Sequence, residues 1–280
     1  AGELPLVTFP GLGTESHDIT FNASGSRAYV AALSHAEILD TTNPAEPKSV
    51  GKIFDPAINV WHQADPITIT DPVLGKRDFV VVEDEVAGAQ GTGQCPNGGV
   101  HVYDATGPLE AAPVKVGYWN ISDAGPTTDG LGTCTAHVFD LWEKEQLMTI
   151  AYYNGGVRVV DLSGLVGAAL GGTGVGMKQL GWYRFPNSDT WSVKAPFVSR
   201  DGFYLYGNDH ARGFDAYRYE PGPAGSVDPG TWMTPEQQLQ AARAAATLWG
   251  KPRLAAMCLL ARDGKSRIAR ASRLAGLATS

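Results

Sequence analysis

Apolar and polar residues alternate along this chain in short runs, and glycine, proline or an Asx turn breaks each run after a few residues. A period of two over four to eight residues predicts β-strands rather than helices. The runs fall into four successive units. The first reads His17–Phe21, Arg27–Leu33, Ala36–Asp40 and Ser49–Phe54, with a Pro-rich link after the third run. The second reads His62–Thr70, Asp78–Glu83, Gly99–Asp104 and Pro113–Trp119. The third is Ala136–Leu141, Gln146–Tyr152, Gly156–Asp161 and Met177–Phe185. The fourth has Trp191–Val198, Phe203–Gly207 and Arg212–Tyr219 and lacks a fourth run.

The third run of every unit carries an aspartate, at its end in the first three units. Asp40, Asp104, Asp161 and Asp215 stand 64, 57 and 54 residues apart, and at the end of a strand such residues read as turn-formers that accept backbone N–H bonds. Repeated four-stranded units predict an all-β protein, a β-propeller built of four-stranded blades. The four repeats form either a whole ring or part of a larger one. The run Leu4–Phe9 reads as a lone outer strand, which completes the fourth blade or ends a further one. Beyond Glu220 the pattern changes. Pro221-Gly222-Pro223 and Asp228-Pro229-Gly230 mark a linker, and Thr234-Pro235 starts a predicted helix with an N-cap followed by proline. The expected organisation is a propeller over 1–220 and a linker with a short helical C-terminal appendage over 221–280.

Composition agrees with many turns and few helices, with 34 Gly, 18 Pro and 18% charged residues in 280. No stretch has the length of a membrane span, and the N-terminal residues show neither a basic n-region nor an apolar h-region. The net charge of −7 divides unevenly, because residues from Lys251 onward carry seven Lys/Arg against Asp263 alone. The acidic body argues against nucleic acid as a partner, since phosphate binding needs Lys and Arg. Cys95 and Cys134 lie in Gly/Thr-rich loops just before predicted strands. They suit a disulfide between neighbouring blades in an oxidising compartment, whereas Cys258 reads as a buried thiol in the tail.

Two segments carry a family likeness: Ala36-Glu37-Ile38-Leu39-Asp40-Thr41-Thr42-Asn43-Pro44-Ala45-Glu46-Pro47 and Gly155-Gly156-Val157-Arg158-Val159-Val160-Asp161-Leu162-Ser163. Over roughly residues 15–220 the chain resembles the LVIVD-repeat family of secreted bacterial β-propeller proteins. In that family an apolar strand ends in Asp and runs into a Ser/Thr-Asn/Asp-Pro turn. The resemblance implies the propeller fold and a secreted, extracellular or periplasmic protein, and it is nearly silent on activity. The third unit departs from it by lacking the Pro turn, and the fourth lacks both that turn and the histidine.

The candidate chemistry is a set of histidines. His17, His62 and His137 each open the first strand of a unit. In an up-and-down blade, the start of the first strand and the end of the second lie on one face of the ring. That face would therefore also carry Ser34-His35, Glu83-Asp84-Glu85, Tyr153-Asn154 and Asn208-Asp209-His210. Neutral imidazoles with one carboxylate suit one transition-metal ion, Zn, Cu, Fe or Mn, with positions left open for a ligand. The expected ligands are His17, His62, His137 and Glu83. Asp84 and Glu85 compete with Glu83, because alternation turns only some of the three inward. Asp209 and His210 are the candidate acid/base or orienting residues.

The leading expectation is thus a metal centre at the axial mouth that binds or transforms a small molecule, as a metal-dependent oxidoreductase. One alternative is a metal-free extracellular propeller that binds or scaffolds a protein or glycan. Another is a metal-dependent hydrolase. His101, inside a third strand, reads as structural. The run Gly171–Gly176 lacks the following Lys of a phosphate-binding loop, and no Gly-x-Ser-x-Gly elbow is present.

Overall fold

The computed structural model describes residues 6, 11, 15–86, 96–121, 133–168 and 176–222. Each predicted run of the four units is a strand, with ends shifted by a few residues. The first sheet holds β1 (Asp18–Phe21), β2 (Arg27–Ala31), β3 (Ala36–Asp40) and β4 (Lys48–Ile53). The second holds β5 (Trp61–Asp71), β6 (Gly75–Asp84), β7 (Gly99–Asp104) and β8 (Val114–Trp119). The third holds β9 (His137–Trp142), β10 (Leu147–Ala151), β11 (Val157–Asp161) and β12 (Lys178–Tyr183). The fourth holds β13 (Thr190–Lys194), β14 (Phe203–Asp209) and β15 (Gly213–Tyr219). All four sheets are antiparallel meanders in chain order, three of four strands and one of three.

The first strands β1, β5, β9 and β13 neighbour one another in sequence order, which is how blades stand around an axis. Three apolar layers separate the blades. Ile38, Ile53, Trp61, Val80 and Tyr103 fill the layer between the first and second sheets. Phe79, Val81, Trp119, Phe139, Ile150 and Val160 fill the next, and Leu147, Val159, Val193, Phe203 and Leu205 fill the third. A blade covered on both sides buries both faces of its strands. This is why β10 (Leu-Met-Thr-Ile-Ala) is buried throughout and why the Phe79–Val82 run of β6 is unbroken apolar rather than alternating.

Hooks at the mouth also tie one blade to the next. Leu33 bridges Trp61 and Tyr153 bridges Thr190, so the loop after a second strand pairs with the first strand of the following blade. Leu33 and Tyr153 both have positive φ, 59° and 44°.

Three of the four repeated aspartates are turn-formers, as expected, whereas Asp215 lies inside β15 opposite Gly207. One oxygen each of Asp40, Asp104 and Asp161 accepts the backbone N–H two residues on, from Thr42, Thr106 and Ser163 at 2.9 Å. Arginines hold all four: Arg27 on Asp40, Arg77 on Asp104, Arg200 on Asp161 and Arg212 on Asp215.

Two local features differ from the sequence reading. The β5–β6 hairpin is longer than predicted, because Asp71 accepts the N–H groups of Val73 and Leu74 and Gly75 takes φ 89°. That closes a tight turn and extends the ladder. Short 3-10 helices at Gly107–Ala111 and Ser163–Gly167 follow the third-strand aspartates. Finally, Leu4–Phe9 (Leu6 apart), the Gly171–Gly176 run (Gly176 apart), Cys95, Cys258 and the predicted helical appendage lie outside the described residues.

Candidate metal site

The mouth is shaped by bulges. The β5–β6 register shifts between Trp61 and Gln63, the β9–β10 register between Ile150 and Ala151, and the β13–β14 register between Thr190 and Ser192. The extra residues are therefore His62, Val138 and Trp191. A bulge re-aims the side chains around it, and His62 and His137 are buried at 7% and 0% exposure. The β1–β2 ladder has no such shift, and His17 at its head stays exposed.

Three donors from two blades converge. One atom each of His62, Glu85 and His137 lies within 4.8 Å of the other two. His62 Nε2 is 3.6 Å from Glu85 Oε2, and His137 Nε2 is 3.8 Å from Glu85 Oε1. Ligands about 2.1 Å from a tetrahedral ion stand roughly 3.4 Å apart, so the spacing is close to that of a coordination sphere.

The other ring atoms are already committed. His137 Nδ1 lies 2.6 Å from the Trp191 carbonyl, so an Nδ1–H donates there and Nε2 keeps its lone pair. His137 Nε2 is buried and has no hydrogen-bond partner among the described residues. His62 Nδ1 lies 2.7 Å from Glu83 Oε2, which directs its Nε2 toward Glu85 in the same way. The Tyr153 hydroxyl donates to Glu85 Oε1 at 2.6 Å and holds the carboxylate in place.

Burial pushes the His137 pKa down to about 4, so the ring is neutral at physiological pH. Burial also acts against charge on His62, but the Glu83 contact, Glu85 and Asp18 outweigh it and raise that pKa above its ordinary value. Burial pushes Glu83 up to about 7. The pair can thus share a proton that an incoming cation would displace.

The geometry corrects several expectations. Glu83 is the partner of His62 Nδ1, while Glu85, two residues on and just past the end of β6, faces the convergent nitrogens. Asp84 points the other way, and its Oδ1 accepts the Asn59 and Val60 N–H groups at 2.8 and 3.0 Å. The His17 ring lies 4.2 Å from the His62 ring at a tilt of 44°, with its Nδ1 3.1 Å from the His62 carbonyl, but it is not one of the three convergent donors. Asp209 is buried and tied to structure. It accepts N–H bonds from Asp189, Ala211 and Arg212 and pairs with the Arg212 guanidinium at 2.8 Å. His210 sits on the rim beside Asp189, 3.4 Å away, with the Trp191 ring between it and His137.

The sequence places Tyr153 on this face without a role and does not single out Trp191. The signal for Trp191 was its place, since it occupies the first-strand position that His62 holds in the second unit. His101 is structural as expected. It is buried against Tyr118 with rings 4.8 Å apart, and burial takes its pKa down to about 4.

No protein-family model matches the chain, and a search of curated proteins finds no match. Among solved structures it is similar to the periplasmic gluconolactonase of Pseudomonas aeruginosa, at 10% identity and TM-score 0.44 over 76% of this chain and 55% of that one. It is also similar to the C-terminal WD40 domain of Sif2, at 11% identity and TM-score 0.43 over 73% of this chain and 46% of that one. A third is a 6-phosphogluconolactonase-like protein of Bacteroides fragilis, at 11% identity and TM-score 0.35, covering 53% and 35%. The chain spans between about a third and just over half the length of these proteins.

Proposed function

We propose that the mouth of this propeller holds one transition-metal ion on His62, His137 and Glu85, and that the centre binds or transforms a small molecule. The observation that carries the reading is the fully buried, neutral His137, whose Nε2 has no hydrogen-bond partner among the described residues and faces a carboxylate and a second imidazole. A buried lone pair without a partner is costly, and a cation at that point would satisfy it. Two histidines and one carboxylate leave positions open for water or substrate. The set suits zinc in hydrolytic sites and Fe(II) in oxidative ones, so the identity of the metal selects between a hydrolase and an oxidoreductase.

Glu83 then acts on the metal only through His62, by fixing the ring and raising its basicity. Partners of this kind are worth about 10–100-fold in metal affinity. Glu83→Gln is expected to weaken binding by that factor in competition against a chromophoric chelator, with the melting curve little changed. Affinity equal to the parent's would remove Glu83 from the centre.

The LVIVD-repeat resemblance and secretion belong to the same reading, as does the Cys95–Cys134 disulfide. The Asn97 N–H donates to the Cys134 carbonyl at 2.8 Å and Asn97 bridges Thr135, so the chain two residues after Cys95 runs alongside Cys134. Thiol titration of denatured, unreduced protein is expected to find one free thiol, that of Cys258, and three after reduction. Three thiols before reduction would contradict the bridge.

The metal-free alternative has its own support, since Tyr153 on Glu85 and Glu83 on His62 partly satisfy the cluster without an ion. Metal titration of the apo protein separates the two readings.

A further inference from the structure

A second cluster stands in the first blade, built by the β2–β3 turn. The Ser34 N–H donates to the Ala32 carbonyl at 2.6 Å, which closes a three-residue turn around Leu33 at φ 59°. Turns of this kind with positive φ at the centre are strained and uncommon. The turn is also held rigidly, because Leu33 exchanges both backbone hydrogen bonds with Trp61 of the next blade at 3.2 and 3.0 Å. Its product is an exposed serine at a fixed position.

The Ser34 hydroxyl oxygen lies 3.0 Å from His35 Nδ1, and its other contact, the Ala32 carbonyl, is at 3.5 Å. His35 is buried, and its Nε2 lies 3.2 Å from Oε1 of the buried Glu37. The carboxylate fixes the tautomer. With Nε2–H donating to Glu37, Nδ1 carries the lone pair and accepts from Ser34. Lys52 Nζ, 3.5 Å from the same Glu37 oxygen, places a positive charge beside it. Hydroxyl, imidazole and carboxylate in this order are the parts of an activated serine nucleophile, here with the two ring nitrogens in exchanged roles.

We propose that Ser34, His35 and Glu37 form a second reactive centre, which cleaves carboxylic esters through an acyl-enzyme. Ser34 Oγ bonds to the acyl carbon as its proton passes to His35 Nδ1, and the alcohol leaves with that proton. Water then attacks the acyl carbon, giving a proton to Nδ1. The acid is released as Ser34 Oγ takes the proton back. Glu37 holds the imidazolium that forms in each half. The centre requires no metal.

The test is a fluorophosphonate probe, which phosphonylates activated serine hydroxyls, followed by intact mass and peptide mapping. One adduct per chain at Ser34 is expected. Ser34→Ala, a change at an exposed position, abolishes it. Because a general base contributes 10²–10⁴-fold, His35→Gln slows labelling by at least about 100-fold, while Glu37→Gln keeps the shape of the buried group and slows it less. Labelling is the same in chelator-treated protein and in Glu85→Ala, which separates this centre from the metal site. No adduct at Ser34 in folded parent protein overturns the proposal. So does a rate unchanged in both His35→Gln and Glu37→Gln.

Discussion

Glu85→Ala is expected to lose tight metal binding while the propeller stays folded. Glu85 is only half-buried, and its one hydrogen-bond donor among the described residues is the Tyr153 hydroxyl, so its removal leaves the interblade layers intact. Removing a ligand must cost more than removing a residue that only orients one, and the latter already costs about 10–100-fold. The expected loss is therefore more than about 100-fold in chelator competition, against a smaller loss for Glu83→Gln. His137→Ala should lose binding as completely, at some further cost in packing because that ring is fully buried.

The pH dependence follows from the protons the ion must displace. The His62 pKa is raised and that of Glu83 lies at about 7. Metal affinity therefore rises with pH up to about neutrality and falls as pH drops below it, by about tenfold per unit for each proton displaced. Binding that strengthens as the pH falls would contradict the assignment of His62.

The second large effect is structural. Arg77 is fully buried. One guanidinium nitrogen donates to the carbonyls of Val166 and Ala168 at 2.9 and 2.7 Å, and another pairs with Asp104 Oδ2 at 2.6 Å. It joins the second blade to the 3-10 helix Ser163–Gly167 of the third, and stacks over Phe79 at 4.9 Å. Arg77→Met leaves Asp104 buried without its cation and the two carbonyls without their donor. Breaking a buried pair in this way costs about 3–5 kcal/mol, read as a shift in the urea midpoint with little change in slope. Arg27→Met is the contrast. Arg27 pairs with Asp40 and Glu110 at a partly exposed surface, where such pairs are worth at most about 1 kcal/mol. Equal losses in the two variants would show that Arg77 is not a tie between blades.

Strands were legible because their signal is local. Alternation marks the half-buried runs, short apolar stretches such as Phe79–Val82 mark the fully buried ones, and Asp40, Asp104 and Asp161 mark third-strand ends by making a turn with the residues that follow them. The Arg partners of those aspartates were not legible, since each comes from another element: Arg27 and Arg77 from the second strand of the same blade, and Arg200 from the following blade. The site was half legible. Repeat position identified His62 and His137, because equivalent strand starts do meet at the mouth. It also suggested His17, which lies beside the His62 ring but outside the convergent three, at the head of a ladder without the register shift of β5 and β9. A bulge comes from two strands paired out of step, and no period in a single strand announces it. The exchange of Glu83 for Glu85 has the same origin. Glu83 lies in β6 and Glu85 just past its end, and His62 in the bulge turns Nδ1 to the first and Nε2 to the second. Asp209 looked available at a strand end and is instead consumed by the turn it builds.

The most direct test of the metal centre is elemental analysis of untagged protein, before and after mild chelation, alongside Glu85→Ala and His137→Ala. The predicted result is one transition-metal ion per parent chain, retained through purification and missing from both variants. Parent protein that carries no metal and takes up no added Zn, Cu, Fe or Mn would contradict the account.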